Sequence, residues 1–100
     1  MFLEVMAMYA LLVSVDIDPG RGDEAMKLLH EFTVPSAKSL AGFVHGTWMR
    51  ASDGTYGRGL ALFDTEEHAH AAASAVRQGP PAGAPVTFRS VDVLEVMAEA

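Results

Sequence analysis

From Tyr9 to Ile17 the side chains alternate, with Tyr9, Leu11, Val13, Val15 and Ile17 on one face and Ala10, Leu12, Ser14 and Asp16 on the other. A period of two in a stretch rich in β-branched residues predicts a strand, and two largely apolar faces place it at the centre of a sheet covered on both sides. Asp18-Pro19-Gly20 ends it in a turn. The period then changes. Ala25, Leu28, Leu29 and Phe32 fall at i, i+3, i+4 and i+7, the apolar stripe of a helix, with Asp23 and Glu24 in its first turn and Glu24, Lys27 and Glu31 on its polar side. His30 flanks the stripe as a boundary residue. Pro35 has no amide hydrogen and crowds the carbonyl four residues back, so the helix is expected to kink or restart near Thr33 and to end around Leu40, with Gly42 as the stop.

Two apolar runs then meet at Asp53-Gly54, within GFVHGTWMRASDGTYGRGLALFD from Gly42 to Asp64. An Asp-Gly pair predicts a two-residue hairpin turn with positive φ at both residues. Counting outward, Ser52 should face Thr55, Arg50 Gly57, Trp48 Gly59, Gly46 Ala61 and Val44 Phe63, all on one side of the sheet. Phe43, His45, Thr47, Met49, Tyr56, Arg58, Leu60, Leu62 and Asp64 fall on the other. The single Trp therefore sits among glycines and an alanine, on a cavity floor or a close helix seat.

Thr65 caps a second helix, with Glu66 and Glu67 in its first turn and a stripe of small residues, Ala69, Ala72, Ala73 and Val76, that permits close approach to the sheet. Gly79 to Pro85, GPPAGAP, is a stiff loop. Val86 to Met97 is a last strand, with Val86, Phe88, Ser90, Asp92 and Leu94 on one face and Thr87, Arg89, Val91, Val93 and Glu95 on the other, long enough to reach past its own sheet. The order βαββαβ predicts an α+β, ferredoxin-like antiparallel sheet with both helices on one face. The other face would be bare, and a second copy of the same sheet is its simplest cover. Val13 and Val15 are expected on the face that meets that copy.

One hundred residues, half of them hydrophobic, suit a single domain spanning 1–100. Met8 is an alternative start codon, which would make residues 1–7 an optional extension. A formal net charge of -6 repels phosphate backbones and anionic headgroups, which argues against nucleic acid and membrane surfaces as partners. The apolar start carries Glu4 and no clear cleavage site, so a cytoplasmic protein is expected, and no run approaches the ~20 apolar residues of a membrane helix. There is no cysteine. His68 and His70, at i, i+2, point in different directions on a helix, and no Gly-rich phosphate loop opens a helix, so no metal, flavin or haem is expected.

DPGRGDE at the start of the first helix, the Pro35 interruption, AGFVHGTWMR, DGTY at the hairpin and FDTEEHAHAAA entering the second helix together resemble the antibiotic biosynthesis monooxygenase-like group of dimeric α/β barrels. The likeness covers nearly the whole chain and implies a homodimer. Similar domains include cofactor-free quinol oxygenases, haem-degrading enzymes and polyketide cyclases, so fold alone does not name a reaction. Oxygenases of this group that act on polyketide aromatics carry an Asn and a Trp on the third strand and a Tyr on the following helix. Those positions align here with Gly59, Phe63 and Ala69, and none of the three side chains is retained. Haem-degrading relatives use an Asn on the first strand, a Trp at the end of the third and a His on the second helix or just beyond. Here the first strand has no Asn, Phe63 replaces the Trp, and His68 or His70 sits too early, which argues against haem.

Three functions stay open: a small oxygenase that activates an electron-rich phenol or quinol whose own electrons reduce oxygen, a protein that binds an apolar aromatic without turning it over, and a ligand-free structural dimer. For the first, Trp48, Tyr9, His45 and His68 are the groups able to donate a hydrogen bond or move a proton. For a ligand pocket, the candidates are Trp48, Phe63, Val44 and Gly59 on the sheet with Leu29 and Phe32 of the first helix.

Overall fold

A computed structural model describes residues 8–100, and the extension expected at residues 1–7 lies outside the described residues. The strands are β1 (Tyr9–Ile17), β2 (Phe43–Arg50), β3 (Tyr56–Phe63) and β4 (Val86–Glu95). They form one antiparallel sheet in the order β2-β3-β1-β4. The strand with two apolar faces, β1, is central, between β3 and β4. Between β1 and β2 lie α1 (Gly22–Leu28), a π-helical turn (Leu29–Thr33) and α2 (Val34–Lys38), and α3 (Glu66–Val76) follows β3. Both helical layers cover the same sheet face, giving the α+β ferredoxin-like architecture.

The proline interruption takes the form of the π turn. Pro35 has no N–H to give to the carbonyl of Glu31, and the preceding amide, that of Val34, reaches back to the carbonyl of Leu29. The rod thus continues through the proline with its backbone in the helical region instead of breaking. Gly42 ends the segment at φ +79°, and a side chain there would strike both Asp64 and His68.

The hairpin keeps the expected register over most of its length: Arg50 faces Gly57, Trp48 faces Gly59 and Gly46 faces Ala61. Its tip differs from the expected two-residue turn. Among the described residues no side-chain-bearing residue has positive φ, so only Gly54, at +78°, adopts it. The amide of Gly54 donates to the carbonyl of Ala51 at 2.8 Å, and Ala51 pairs with Tyr56. Asp53 keeps a negative φ, and its carboxylate accepts from both the amide and the hydroxyl of Thr55, at 3.0 and 2.7 Å. These bonds hold its pKa below the usual carboxylate range.

Two bulges correct the strict alternation. Near the start of β2 the ladder shifts, so Phe43, not Val44, faces Phe63. The larger ring turns inward and meets Phe63 edge to face at 6.1 Å, while Val44 is left 52 % exposed. In β4, Ser90 faces Ser14 but Phe88 faces Val15, which leaves Arg89 as the extra residue, bonded to Asp16 at 2.5 Å. Val86 and Phe88 therefore cross to the helix-covered side and join Val91 and Val93, so these four apolar residues point inward and Leu94 alone of the strand's apolar residues points outward. The strand ends at Glu95 and pairs with β1 along its full length, which accounts for its ten residues without a second sheet.

The face assignment of β1 also changes. Val13 and Val15 stand opposite Gly59 and Gly57, on the Trp48 side, under the helices. Because the hairpin register carries across β3 into β1, the outward face is Ala10, Leu12 and Ser14, continued by Leu60 and Leu62 of β3 and Leu94 of β4. The core proper lies beneath α3, where Ala69, Ala72 and Ala73 press on Leu11, Ala61 and Phe63.

Candidate functional site

The space beneath α1 is not filled. Ala25 is the buried residue of α1, and neither the π turn nor α2 buries any side chain. Between this rod and the sheet lies a cavity of about 310 Å³, which falls at the low end of the ~300–1,000 Å³ typical of ligand pockets. Its walls are Leu29, Phe32 and Thr33 from the π turn, Val13 and Val15 from β1, and Phe88 from β4.

Trp48 lies along its floor. A Cβ placed on Gly59 would lie 2.7 Å from the indole Cδ1, and one placed on Gly46 would lie 2.5 Å from Cη2, so the ring lies over both glycines. The room those residues leave is thus taken by the indole, which rests against bare backbone at both ends. Any side chain at either position would lift the ring from the sheet. Trp48 is half-buried and lines the cavity, offering a planar apolar surface.

Of the residues expected to bind a ligand, the cavity brings together Trp48, Phe63, Gly59, Leu29 and Phe32. Val44 is outside it, turned to solvent by the bulge. The candidates for proton transfer are dispersed. Only Trp48 lines the cavity. His45 is exposed on the opposite sheet face, where its Nε2 lies 3.4 Å from the hydroxyl of Thr47. His68 sits in the first turn of α3, whose N-cap Thr65 accepts from the His68 amide at 3.1 Å, and its Nδ1 pairs with Asp64 at 2.6 Å. Tyr9, at the start of β1, donates to Glu95 at 3.3 Å. Desolvation and the Glu66 and Glu95 carboxylates push its phenol above the ordinary range.

His70 lies 3.6 Å from Glu66, so His68 and His70 each answer a carboxylate one helical turn earlier instead of each other. The i, i+4 spacing of Asp64 to His68 is visible in the sequence. Among the described residues no three His, Cys, Asp or Glu side chains are grouped to hold a metal ion. No histidine lines the cavity, so its walls offer a haem iron no imidazole and do not fit that group. No described helix is long and apolar enough to cross a membrane.

Sequence reasoning missed the polar groups at the cavity: Thr33 and Ser36 from the rod and Arg50, two residues beyond Trp48 on the same face of β2. At the opposite wall, Arg21 holds the GPPAGAP loop in place by donating to the carbonyl of Gly83 at 2.8 Å, while also pairing with Asp18 and Glu24. Gly79, Pro80 and Pro81 of that loop close one end of the cavity.

The fold recurs in solved structures. A protein of Bordetella bronchiseptica assigned as an antibiotic biosynthesis monooxygenase superposes with a TM-score of 0.67 at 13 % identity, over 94 % of this chain and 99 % of that one. The chain has the antibiotic biosynthesis monooxygenase-like fold. The heme degrader MhuD of Mycobacterium tuberculosis, solved with two hemes in its active site, superposes with a TM-score of 0.70 at 18 % identity, over 92 % of this chain and 98 % of that one. SnoaB, a cofactor-independent oxygenase of Streptomyces nogalater, gives 0.65 at 16 % identity, over 91 % and 95 %. At such identities the likeness is one of fold. The sequence matches no family model and no curated protein.

Proposed function

We propose that this chain binds a small, planar, electron-rich aromatic compound in the cavity beneath α1, with oxygenation of a bound phenol or quinol as its reaction. The observation that carries the binding is the Trp48 indole laid over Gly46 and Gly59, a flat apolar floor under about 310 Å³ of space. The oxygenation rests on the fold shared with a cofactor-independent oxygenase and is argued by analogy. For a phenol the balance is one aromatic plus O2 giving a quinone plus water. One oxygen atom enters the ring, the other leaves as water, and the substrate supplies all four electrons. The chain's own part is to exclude bulk water with apolar walls and to offer the indole N–H as a hydrogen-bond donor to a developing oxyanion. Oxygen uptake with a panel of hydroquinones tests turnover. Consumption above the spontaneous rate, lost in Trp48→Ala, supports it, and uptake at the spontaneous rate for every member refutes it.

The dispersal of His45, His68 and Tyr9 favours a second reading, binding without turnover, since among the described residues no ordinary acid or base lines the cavity. In either case the working unit we propose is a homodimer whose two sheets pack face to face. Leu12, Leu60 and Leu62 form an apolar strip across β1 and β3, flanked by Leu94 at 47 % and Met49 at 50 % exposure. Light scattering at micromolar concentration is expected to give twice the chain mass, and a monomer mass contradicts the dimer.

A further inference from the structure

The cavity's charge is opposite to that of the chain. The protein carries 13 acidic residues against 7 Lys and Arg, yet among the described residues no Asp or Glu lines the cavity, whereas two arginines, Arg50 and Arg58, do. Arg58 is engaged elsewhere, its guanidinium 4.7 Å above the Tyr56 ring. Arg21 pairs with Asp18 and Glu24, Arg77 donates to the carbonyl of Val91, and Arg89 pairs with Asp16. Among the described residues, Arg50 is the arginine with no hydrogen bond, ion pair or ring partner. It follows Trp48 on the same face of an edge strand and stands opposite Gly57, whose lack of a side chain leaves the guanidinium unobstructed from that side.

An apolar slot with one unengaged cation at its rim selects an apolar molecule with one anionic end. We infer that the ligand of this cavity is a planar aromatic carboxylate, its rings over the Trp48 indole and its carboxylate paired with Arg50, which acts as the specificity-determining residue. This rests on the reading of the cavity as an aromatic-binding site. A guanidinium presents parallel N–H donors that match the two oxygens of a carboxylate, which a lysine in the same place does not reproduce. Thr33 and Ser36, on the opposite wall, are neutral and add no competing charge.

The test is calorimetric titration with 2-naphthoate and its uncharged methyl ester, against wild type, Arg50→Gln and Arg50→Lys. All three proteins are first checked for mass and circular dichroism. The carboxylate is expected to bind wild type at least tenfold more tightly than the ester, the advantage shrinking with added salt. In Arg50→Gln the carboxylate should weaken about tenfold while the ester is unchanged, as expected for loss of one partly exposed charged pair. Arg50→Lys should recover only part of the difference. If acid and ester bind wild type alike, or Arg50→Gln leaves the acid untouched, the inference falls while the aromatic pocket stands. If neither probe binds, the pocket reading falls and the inference with it. If Arg50→Gln halves the mass in solution, the guanidinium serves the subunit interface, which also overturns the inference.

Discussion

Two helical layers rest on one sheet face, and they close it in different ways. Beneath α3 the contact is dense: Ala69, Ala73 and Phe63 are 0 % exposed, Ala72 2 % and Leu11 3 %. Beneath the α1 rod, Leu28, Leu29 and Thr33 are half-buried and Phe32 is 49 % exposed. The difference follows from side-chain size. Alanines bring the α3 backbone close to the sheet, so nothing remains to fill. Longer side chains hold the α1 rod away without meeting the sheet everywhere, and the π turn that accommodates Pro35 interrupts the rod where it walls the cavity. One half of the layer therefore carries the stability and the other carries the space.

If that division holds, substitutions on the two sides should separate clearly in urea unfolding at a fixed protein concentration, since assembly contributes to apparent stability. The largest loss is expected for Phe63→Ala, about 3–5 kcal/mol, because a fully enclosed ring leaves a cavity that its neighbours cannot fill. Ala73→Leu adds bulk where there is no room and should cost about 1–3 kcal/mol. Trp48→Ala should cost about 1–2 kcal/mol, well under the ~3–5 of a fully packed aromatic, because one face of the indole borders the cavity. Leu29→Ala should fall at or below about 1 kcal/mol. A Leu29→Ala loss as large as that of Phe63→Ala would show that α1 is as tightly seated as α3. The smallest effect on stability is expected for Gly59→Ala, whose Cβ would meet the indole 2.7 Å from Cδ1. The ring can yield into the space above it, so the change should appear as a shift in Trp emission and weakened ligand binding, with the unfolding midpoint nearly unmoved.

Much of the fold was legible in the chain because local signals agreed with one another. Apolar faces on both sides of Tyr9 to Ile17 placed β1 centrally, alanines at helical spacing marked the close seat of α3, and Asp53-Gly54 fixed the pairing of Trp48 with Gly59. What stayed hidden were departures from periodicity. A bulge adds one residue without a sequence mark of its own, so Val44 was expected where Phe43 packs, and Val86 and Phe88 were expected on the face opposite Val91 and Val93. The register of β1 against the hairpin is a tertiary fact, which is why alternation alone puts Val13 and Val15 on the partner-facing side when they lie under the helices. At the site, the flat floor was foreseeable from three glycines around one Trp. The role open to Arg50 was not, because it depends on where every other charged side chain finds its partner.

The most direct measurement follows the emission of Trp48, the chain's only tryptophan, while 1,4-naphthoquinone is added, with correction for its absorption. A floor that borders an open cavity predicts saturable quenching at one site per chain, together with the modest stability loss of Trp48→Ala. Emission that shows no saturable change, combined with a loss of ~3–5 kcal/mol in Trp48→Ala, would mean that the indole is packed core with nothing to bind.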